Sequence, residues 1–547
     1  MAYRALFCYL LKSDNILGEE MARSKRLPES KQSSFSFLDS VPEGGRPAEK
    51  ALSGPPPNFH DPSSDEIFIG DQPLRAYLRQ SEMSWVIRLG KLIARSDLSG
   101  FVSAYKATGR KAIHPRIMLG LIVYGMLDGQ WSLRELEKLA RKDVGAWWLC
   151  GGLQPDHSTI GKFICLHAEL LTDRYFTSLT KTIVKALKLP KGDAAGDGTV
   201  IEACGSRWKS MKAEAVRQEA QRSRQQAEKT PEDVQAASKA DELEQAAQVA
   251  EERQAQAESK GKGKQGVKIC ITEPEAVVQP KKDKTHRASY KPSTLVNEQR
   301  LIVGQSLHPT SETAVVKPML GQHEEIFGSL PSRMLLDAGY CTFDVLGLAV
   351  AMDLDLLCPS GNVEGKGRWQ KGSGKGKFPK SDFLYDEQTD TYLCPAGERL
   401  SCQSFEQDAE GRKYHRYRGK SCPGCALRQK CTESSRGRTV KRYEDEPLKE
   451  AMAEVLQHPK ARGHYRKRVG MVEPVFSVLV HRQGLRRFHR RGLKQAKLEF
   501  ALHCVAYNLG LAIRLERDQD GRLLGSFVLI YRQGNALMAM FCLFRLC

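Results

Sequence analysis

At 547 residues the chain is too long for one hydrophobic core, and two to four domains are expected. Its formal charge of +19 and pI of about 9.2 suit a polyanionic partner, nucleic acid above all. The 15 cysteines, an odd number scattered through apolar segments such as FICLHAEL, point to a reducing compartment rather than a disulfide framework.

No apolar run approaches the roughly 20 residues that span a bilayer, so no membrane partner is expected. The N-terminal MAYRALFCYLLKSDN lacks a small-residue cleavage site and does not read as a signal peptide; Met21 offers an alternative start. A cytoplasmic protein is expected.

Residues 1–65 are rich in Ser, Pro, Gly and charge and read as a disordered basic arm, with order beginning near Phe68. Residues 66–190 have helical periodicity. In HPRIMLGLIVYGMLDGQ, Pro115 stands where a helix begins; Ser132 and Glu135 have capping-box spacing; Ser158 or Thr159 can cap the helix of PDHSTIGKFICL. Helix, turn, helix suits a DNA-reading module, with an ordinary helical bundle as the other reading.

Residues 191–384 read as a mixed sheet with helical cover, from strand patterns in 194–205, VKICIT, RLIVGQSLH, RMLLDAGY and LDLLCPS and a helix in FDVLGLAVAMD. Segment 206–260 interrupts it with two long polar helices. The second restarts at Thr230-Pro231, with Thr230 as cap. Their charged faces read as solvated, with a DNA or subunit contact as the other reading. GKGKQG and the basic, glycine-rich GNVEGKGRWQKGSGKGKFPK are loops. Residues 446–516 are helical and very basic, and 517–547 form a C-terminal tail.

Three acids stand in contexts that can bring them together. Asp197 lies in the strand AAGDGTVIEA, Asp337 ends the strand RMLLDAGY, and Glu473 follows the basic start of YRKRVGMVEPVFSVLV. Two aspartates at strand ends and a glutamate on a helix can hold a pair of hard cations for phosphodiester chemistry. Asp344, Asp353, Asp355 and Glu499 are competitors. Pro474 pushes the residue before it away from helical geometry, so Glu473 is expected to cap its helix rather than ride within it. The run HRQGLRRFHRRGLKQAK puts Arg486, Arg487, Arg490 and Arg491 where phosphates can be met.

Residues 385–445 hold Cys394, Cys402, Cys422, Cys425 and Cys431 in a polar stretch that reads as lacking its own core. Cys422, Cys425, Cys394 and Cys431 can form one structural zinc site, with Cys402 or His415 as substitutes. Reduced or redox-active thiols and a disulfide are the other readings.

The ordered set HPRIMLGLIVYGMLDG, LQPDHSTIGKF, GDGTVIEA, DAGYCT, YLCPAGERL with SCPGCALRQKCT, YRKRVGMVEPVF, and RRFHRRG with AYNLGL resembles bacterial insertion-sequence transposases of the DDE class, over about Phe68 to Glu516. The resemblance implies an α+β chain. It has a helical N-terminal DNA-binding domain, an RNase H-like catalytic core with a helical insertion, and a cysteine-rich subdomain. It implies that Asp197, Asp337 and Glu473 bind two Mg²⁺ or Mn²⁺ ions, and that Tyr465 and Arg468, with Arg466 between them, contact DNA. The implied partners are double-stranded DNA, as terminal repeats and target, and further copies of the chain in a dimer or higher oligomer.

The sequence departs from the family pattern in two places. Val480 replaces the usual lysine, with Arg482 nearby to compensate, and Asn297 replaces an aspartate. A nuclease without strand transfer and a non-catalytic DNA-binding repressor are the rival functions.

Overall fold

The computed structural model describes residues 57–60, 62–259, 266–281, 285–359, 377–408, 411–444 and 446–519. Most of the N-terminal arm, all of GKGKQG but its last glycine, residues 361–376 of the glycine-rich loop and the tail from 520 onward lie outside the described residues. Phe59 already bridges to Ala112, upstream of the expected start of order.

Among the described residues, seven helices of seven residues or more come before the central sheet: α1 (Leu74–Gln80), α2 (Ser84–Arg95), α3 (Pro115–Asp128), α4 (Leu133–Lys142), α5 (Val144–Cys150), α6 (His157–Leu166) and α7 (Tyr175–Ala186). Pro115 occupies the first turn of α3, where its missing N–H costs nothing. That helix is apolar on nearly every side and is buried from Ile117 to Met126. At α4 the capping box forms: Ser132 Oγ accepts from Glu135 N at 3.4 Å, and Glu135 Oε2 accepts from Ser132 N at 3.0 Å. The cap of α6 differs from expectation. Asp156 Oδ1, not Ser158 or Thr159, accepts from Thr159 N at 2.7 Å, because a carboxylate just upstream reaches the same orphan donor.

The central sheet contains β1 (Asp193–Gly198), β2 (Ile201–Glu202), β5 (Val277–Pro280), β6 (His286–Asn297), β7 (Ile302–His308), β8 (Arg333–Leu335) and β9 (Leu356–Leu357). Its spine runs β7-β6-β1-β8-β9, in which β1, β8 and β9 are parallel and β6 is antiparallel to both its neighbours. Taking these five in chain order, the arrangement is 3-2-1-4-5. The first four residues of β1 are buried, and three of them are Ala194, Ala195 and Gly196. Small residues are required there: a Cβ on Gly196 would stand 2.5 Å from Leu336 Cδ2.

Between β2 and β5 the chain leaves the sheet through a two-stranded ribbon, β3 (Ser210–Lys212) with β4 (Lys268–Cys270). The ribbon carries the hairpin α8 (Ala213–Lys229) and α9 (Val234–Ser259). Val216, Ala220, Leu243, Ala246 and Ile269 give this insertion a small core of its own. Thr230 closes α8 instead of capping α9. Asp233 caps α9, accepting from Gln235 N at 2.9 Å and Ala236 N at 3.1 Å.

After β7 follow α10 (Val316–Phe327) and, beyond β8, α11 (Phe343–Ala351). The cysteine-rich segment is a five-stranded antiparallel sheet: β10 (Leu384–Asp386), β11 (Thr391–Leu393), β12 (Arg399–Gln407), β13 (Lys413–Gly419) and β14 (Thr439–Tyr443). It does have a core, contrary to the reading from its polarity. Phe383, Tyr392, Leu400, Tyr417 and Val440 are buried together. Two of the five are tyrosines, whose apolar rings a count of aliphatic residues passes over.

Three helices end the described residues: α12 (Glu446–Val455), α13 (Pro459–Ser477) and α14 (Leu493–Gln519). The stretch Leu493–Glu516 of α14 is long and apolar enough to cross a membrane, but 83% of that window is buried inside the protein. It is the core helix, and one continuous hydrophobic cluster joins it to α2–α7 and to the central sheet.

Asn508 fixes its register. Its Nδ2 donates to Thr180 Oγ1 (3.0 Å) and Ile302 O (2.8 Å), and its Oδ1 accepts from Ile302 N (2.9 Å). Asn508→Ala leaves three buried polar groups without partners. Urea unfolding should show a loss of at least about 1–3 kcal/mol, the penalty for one such group.

Candidate active site and basic surface

Because β1 and β8 are parallel neighbours paired at Ala195 and Leu335, extending both strands two residues brings Asp197 and Asp337 side by side. Asp337 turns into a short 3₁₀ segment that it caps itself, with Gly339 N donating to its Oδ1 at 2.9 Å. Asp197 Oδ1 accepts from Gly198 N at 2.8 Å. Like charges this close need a cation. Arg468 of α13 supplies it, with Nη2 3.1 Å from Asp197 Oδ1 and 4.0 Å from Asp337 Oδ2. The guanidinium is buried and also donates to Gly196 O at 3.3 Å from both Nε and Nη2.

Burial raises the Asp197 pKa above the ordinary carboxylate value. Arg468 and the Gly198 N–H oppose this, while the charges of Asp337 and Glu312 add to it. Glu312 is not distinguished by the sequence. It lies in the β7–α10 loop, paired with Lys291 at 3.0 Å. Its Oε2 and Asp337 Oδ1 both come within 3.4 Å of the point a Cβ on Gly339 would occupy. Only the fold brings that loop to the strand ends. Tyr465 is half-buried one turn before Arg468, its phenol pushed up to about 12 by burial, with Arg468 opposing.

Glu473 rides within α13, not at its cap: the helix continues to Ser477 with Pro474 inside it. Pro474 has no N–H to give to Gly470 O, four residues back. Arg300, in the left-handed turn between β6 and β7 at φ 65°, donates to that carbonyl from Nε at 3.1 Å. Glu473 lies five residues beyond Arg468, about 140° further around the helix. It is exposed, and among the described residues its carboxylate has no hydrogen-bond or ion-pair partner. The structure thus brings Asp197, Asp337, Arg468 and Glu312 together and leaves Glu473 on the same helix as Arg468, facing solvent. Among the described residues no group of three or more His, Cys, Asp or Glu side chains is gathered tightly enough to hold an ion.

The basic segment is a loop, held from beneath by carboxylates. Buried Glu499 accepts from His489 N at 2.9 and 3.1 Å and from Arg490 N at 3.0 Å. Glu273 Oε1 accepts from Gly492 N at 2.9 Å. Arg487 turns inward, donating to the carbonyls of Ala203, Cys204 and Gly205 at 2.8–3.1 Å. Burial lowers the Arg490 pKa. Arg486, Arg491, Arg466 and Arg482 are exposed. The loop also fastens the N-terminal helices: Trp131 stacks on His489 at 4.0 Å and donates to Gln483 O at 3.0 Å.

Four cysteines face one cavity elsewhere. Cys394, Cys422, Cys425 and Cys431 line one small cavity of about 20 Å³. Burial raises the Cys431 thiol; Arg438 opposes this, and Cys422, Cys394 and Cys425 add to it. Arg438 N donates to Cys422 Sγ at 3.4 Å. Cys402 is apart, paired with His415 Nδ1 at 3.6 Å. All cysteines among the described residues are free thiols.

Two family models match the chain. Residues 76–165, spanning most of α1 to α6, match the Transposase domain (DUF772), and residues 393–511 match the Transposase DDE domain. The second match runs from the cysteine cluster through Arg468, Glu473 and the basic loop into α14. No curated protein matches the chain. These two domains, in this order, support an insertion-sequence transposase of the DDE class.

Burial pushes the Glu499 carboxyl up from 4.5 to about 8, against the N–H groups of His489 and Arg490 and the charge of Arg490. The folded state therefore keeps a proton that the unfolded chain has released. Its contribution to stability is complete below pH 4.5 and is lost as pH rises through about 8. Urea midpoints of the wild type and of Glu499→Gln, compared at both ends of this window, should show a smaller fall with pH in the variant.

Proposed function

We propose that the protein is a DNA transposase that cuts the ends of its element and joins the freed 3′-hydroxyls to target DNA. The observation that carries this is the pair Asp197 and Asp337 at the ends of adjacent parallel strands, with Arg468 between them. The 3-2-1-4-5 strand order supports an RNase H-like core. Asp197 and Asp337 offer hard oxygen donors suited to Mg²⁺ or Mn²⁺, and Glu473 is assigned as the third carboxylate. When bound, such a metal pair activates the attacking oxygen and stabilises the leaving one. Arg468 holds the two aspartates in register before any metal arrives. Tyr465 stays a neutral phenol beside them. Exposed Arg466, Arg482, Arg486 and Arg491 meet phosphates of double-stranded DNA, and Arg487 and Arg490 shape the loop that presents them. Two DNA ends call for more than one copy of the chain. A repressor would need none of the buried charge at Asp197.

Purified protein should cut DNA carrying its element ends with Mg²⁺ or Mn²⁺ and not with EDTA. Asp197→Asn, Asp337→Asn and Glu473→Gln should each abolish cutting while gel-shift binding persists. If Glu473→Gln cuts normally and Glu312→Gln does not, the third carboxylate is Glu312. Cutting without joining would leave the rival nuclease.

The four cysteines offer soft thiolate donors around one small cavity; they are not drawn tightly enough to grip an ion as they stand, and a structural zinc, distinct from the carboxylate site, would pull the sulfurs together. Elemental analysis of protein purified without chelator should find about one zinc per chain. Cys422→Ser should lose it and loosen the five-stranded sheet, while Cys402→Ser should keep it.

A further inference from the structure

A second cleft, of about 370 Å³, opens between the cysteine-rich sheet, the start of α11 and α12. Five cations line it, Lys380, Arg412, Arg438, Lys441 and Lys449, against one carboxylate, Glu446. That carboxylate is committed: it pairs with Lys380 and accepts from Tyr443 N at 3.1 Å. Arg438 is occupied by the carbonyls of Cys431 and Phe378, and Arg412 by Asp408. Lys441 and Lys449 have no carboxylate partner among the described residues. Aromatic rings hold them instead, with Lys449 Nζ 4.1 Å from the centre of Phe343 and Lys441 Nζ 4.2 Å from that of Tyr414. Positive charge gathered this densely and left unneutralised calls for a polyanion.

Its place in the fold says which one. Phe343 stands six residues after Asp337 and begins α11, whose N-terminal N–H groups add positive potential to the cleft wall. Asp344, in the same first turn, is exposed. The charge of Lys449 is felt at Cys341, in the loop that leaves Asp337. A strand whose phosphodiester lies on Asp197 and Asp337 carries further phosphates on either side, and the chain leads from Asp337 directly to Phe343 at this wall.

We infer that the cleft is a second DNA-backbone site, in which Lys441 and Lys449 hold phosphates of the strand that passes over the aspartate pair. It rests on the reading of DNA as substrate. It assigns the cysteine-rich subdomain a role in gripping that substrate, and no sequence readout.

The test uses the full chain with EDTA present, so that cutting plays no part. Binding of a fluorescein-labelled DNA duplex is titrated over a range of NaCl concentrations for the wild type, Lys441→Glu/Lys449→Glu, the milder Lys441→Gln/Lys449→Gln, and Lys239→Glu on α9 as a control. Near-ultraviolet circular dichroism checks folding. Both double variants should bind more weakly. The plot of log K against log salt should flatten by about 0.9 for each phosphate that is no longer neutralised. The control should match the wild type.

Wild-type affinity and slope in the glutamine pair would overturn the inference. So would displacement of DNA by inorganic phosphate at matched ionic strength, which would make the cleft a free-phosphate site. An equal loss of poly-glutamate binding in place of DNA binding would do the same, because the partner would then be an acidic protein. Protein that binds DNA through the cleft but never cuts it would defeat the catalytic reading alone. Protein that cuts DNA while both double variants bind normally would defeat the cleft alone.

Discussion

A helix that is apolar on most of its circumference must be surrounded, and α14 imposes that requirement on the whole chain. Its long buried span needs cover on several sides, and no single element supplies it. The N-terminal helices wrap part of it and the edge of the central sheet wraps another, so units far apart in sequence close on one continuous cluster. Asn508 sets the depth and rotation of this helix against β7 and α7. Glu499, more than two turns earlier, fixes the loop that runs back over the sheet. Trp131 then ties the N-terminal helices to that same loop. The basic loop is therefore referenced to the core helix and not to the surface.

Charge is sorted by depth in the same way. A run of arginines reads as a uniform phosphate-binding stripe, yet the loop sends Arg487 inward to three carbonyls and leaves Arg486 and Arg491 outside. Glu202, Glu273, Glu275 and Glu499 form the acidic underside that keeps the stripe in place. At the strand ends the logic is reversed. There the acids face the opening, and one buried arginine restrains them from within.

Much of this is legible from residues alone. The capping box at Ser132, the proline start of α3, the helical insertion, and the aspartates at the ends of β1 and β8 all depend on local chemistry, and local chemistry is written in order along the chain. What is not legible depends on distant partners. The longest sheet strand, β6, carries Pro292, Ser293 and Thr294 and shows no clean alternation. It is a strand because β1 and β7 flank it. Glu312 looks like an ordinary loop acid until the fold carries the β7–α10 loop over Asp337. The cysteine-rich sheet conceals its core because tyrosine rings do the packing. The course of α13 through Pro474 is hidden for a related reason, since the missing hydrogen bond is made good from 170 residues away.

That repair has an evolutionary consequence. Arg300 holds an uncommon left-handed conformation and donates to Gly470 O, the carbonyl that Pro474 cannot serve. Once position 474 carries any residue with a backbone N–H, the helix serves its own carbonyl and the turn is released to become glycine or asparagine, the natural occupants of such a conformation. Positions 300 and 474 should therefore drift as a pair among related chains: arginine where the helix holds proline, a small turn residue where it does not. A lineage that changes one first passes through a form with an unserved carbonyl in the helix that carries Arg468.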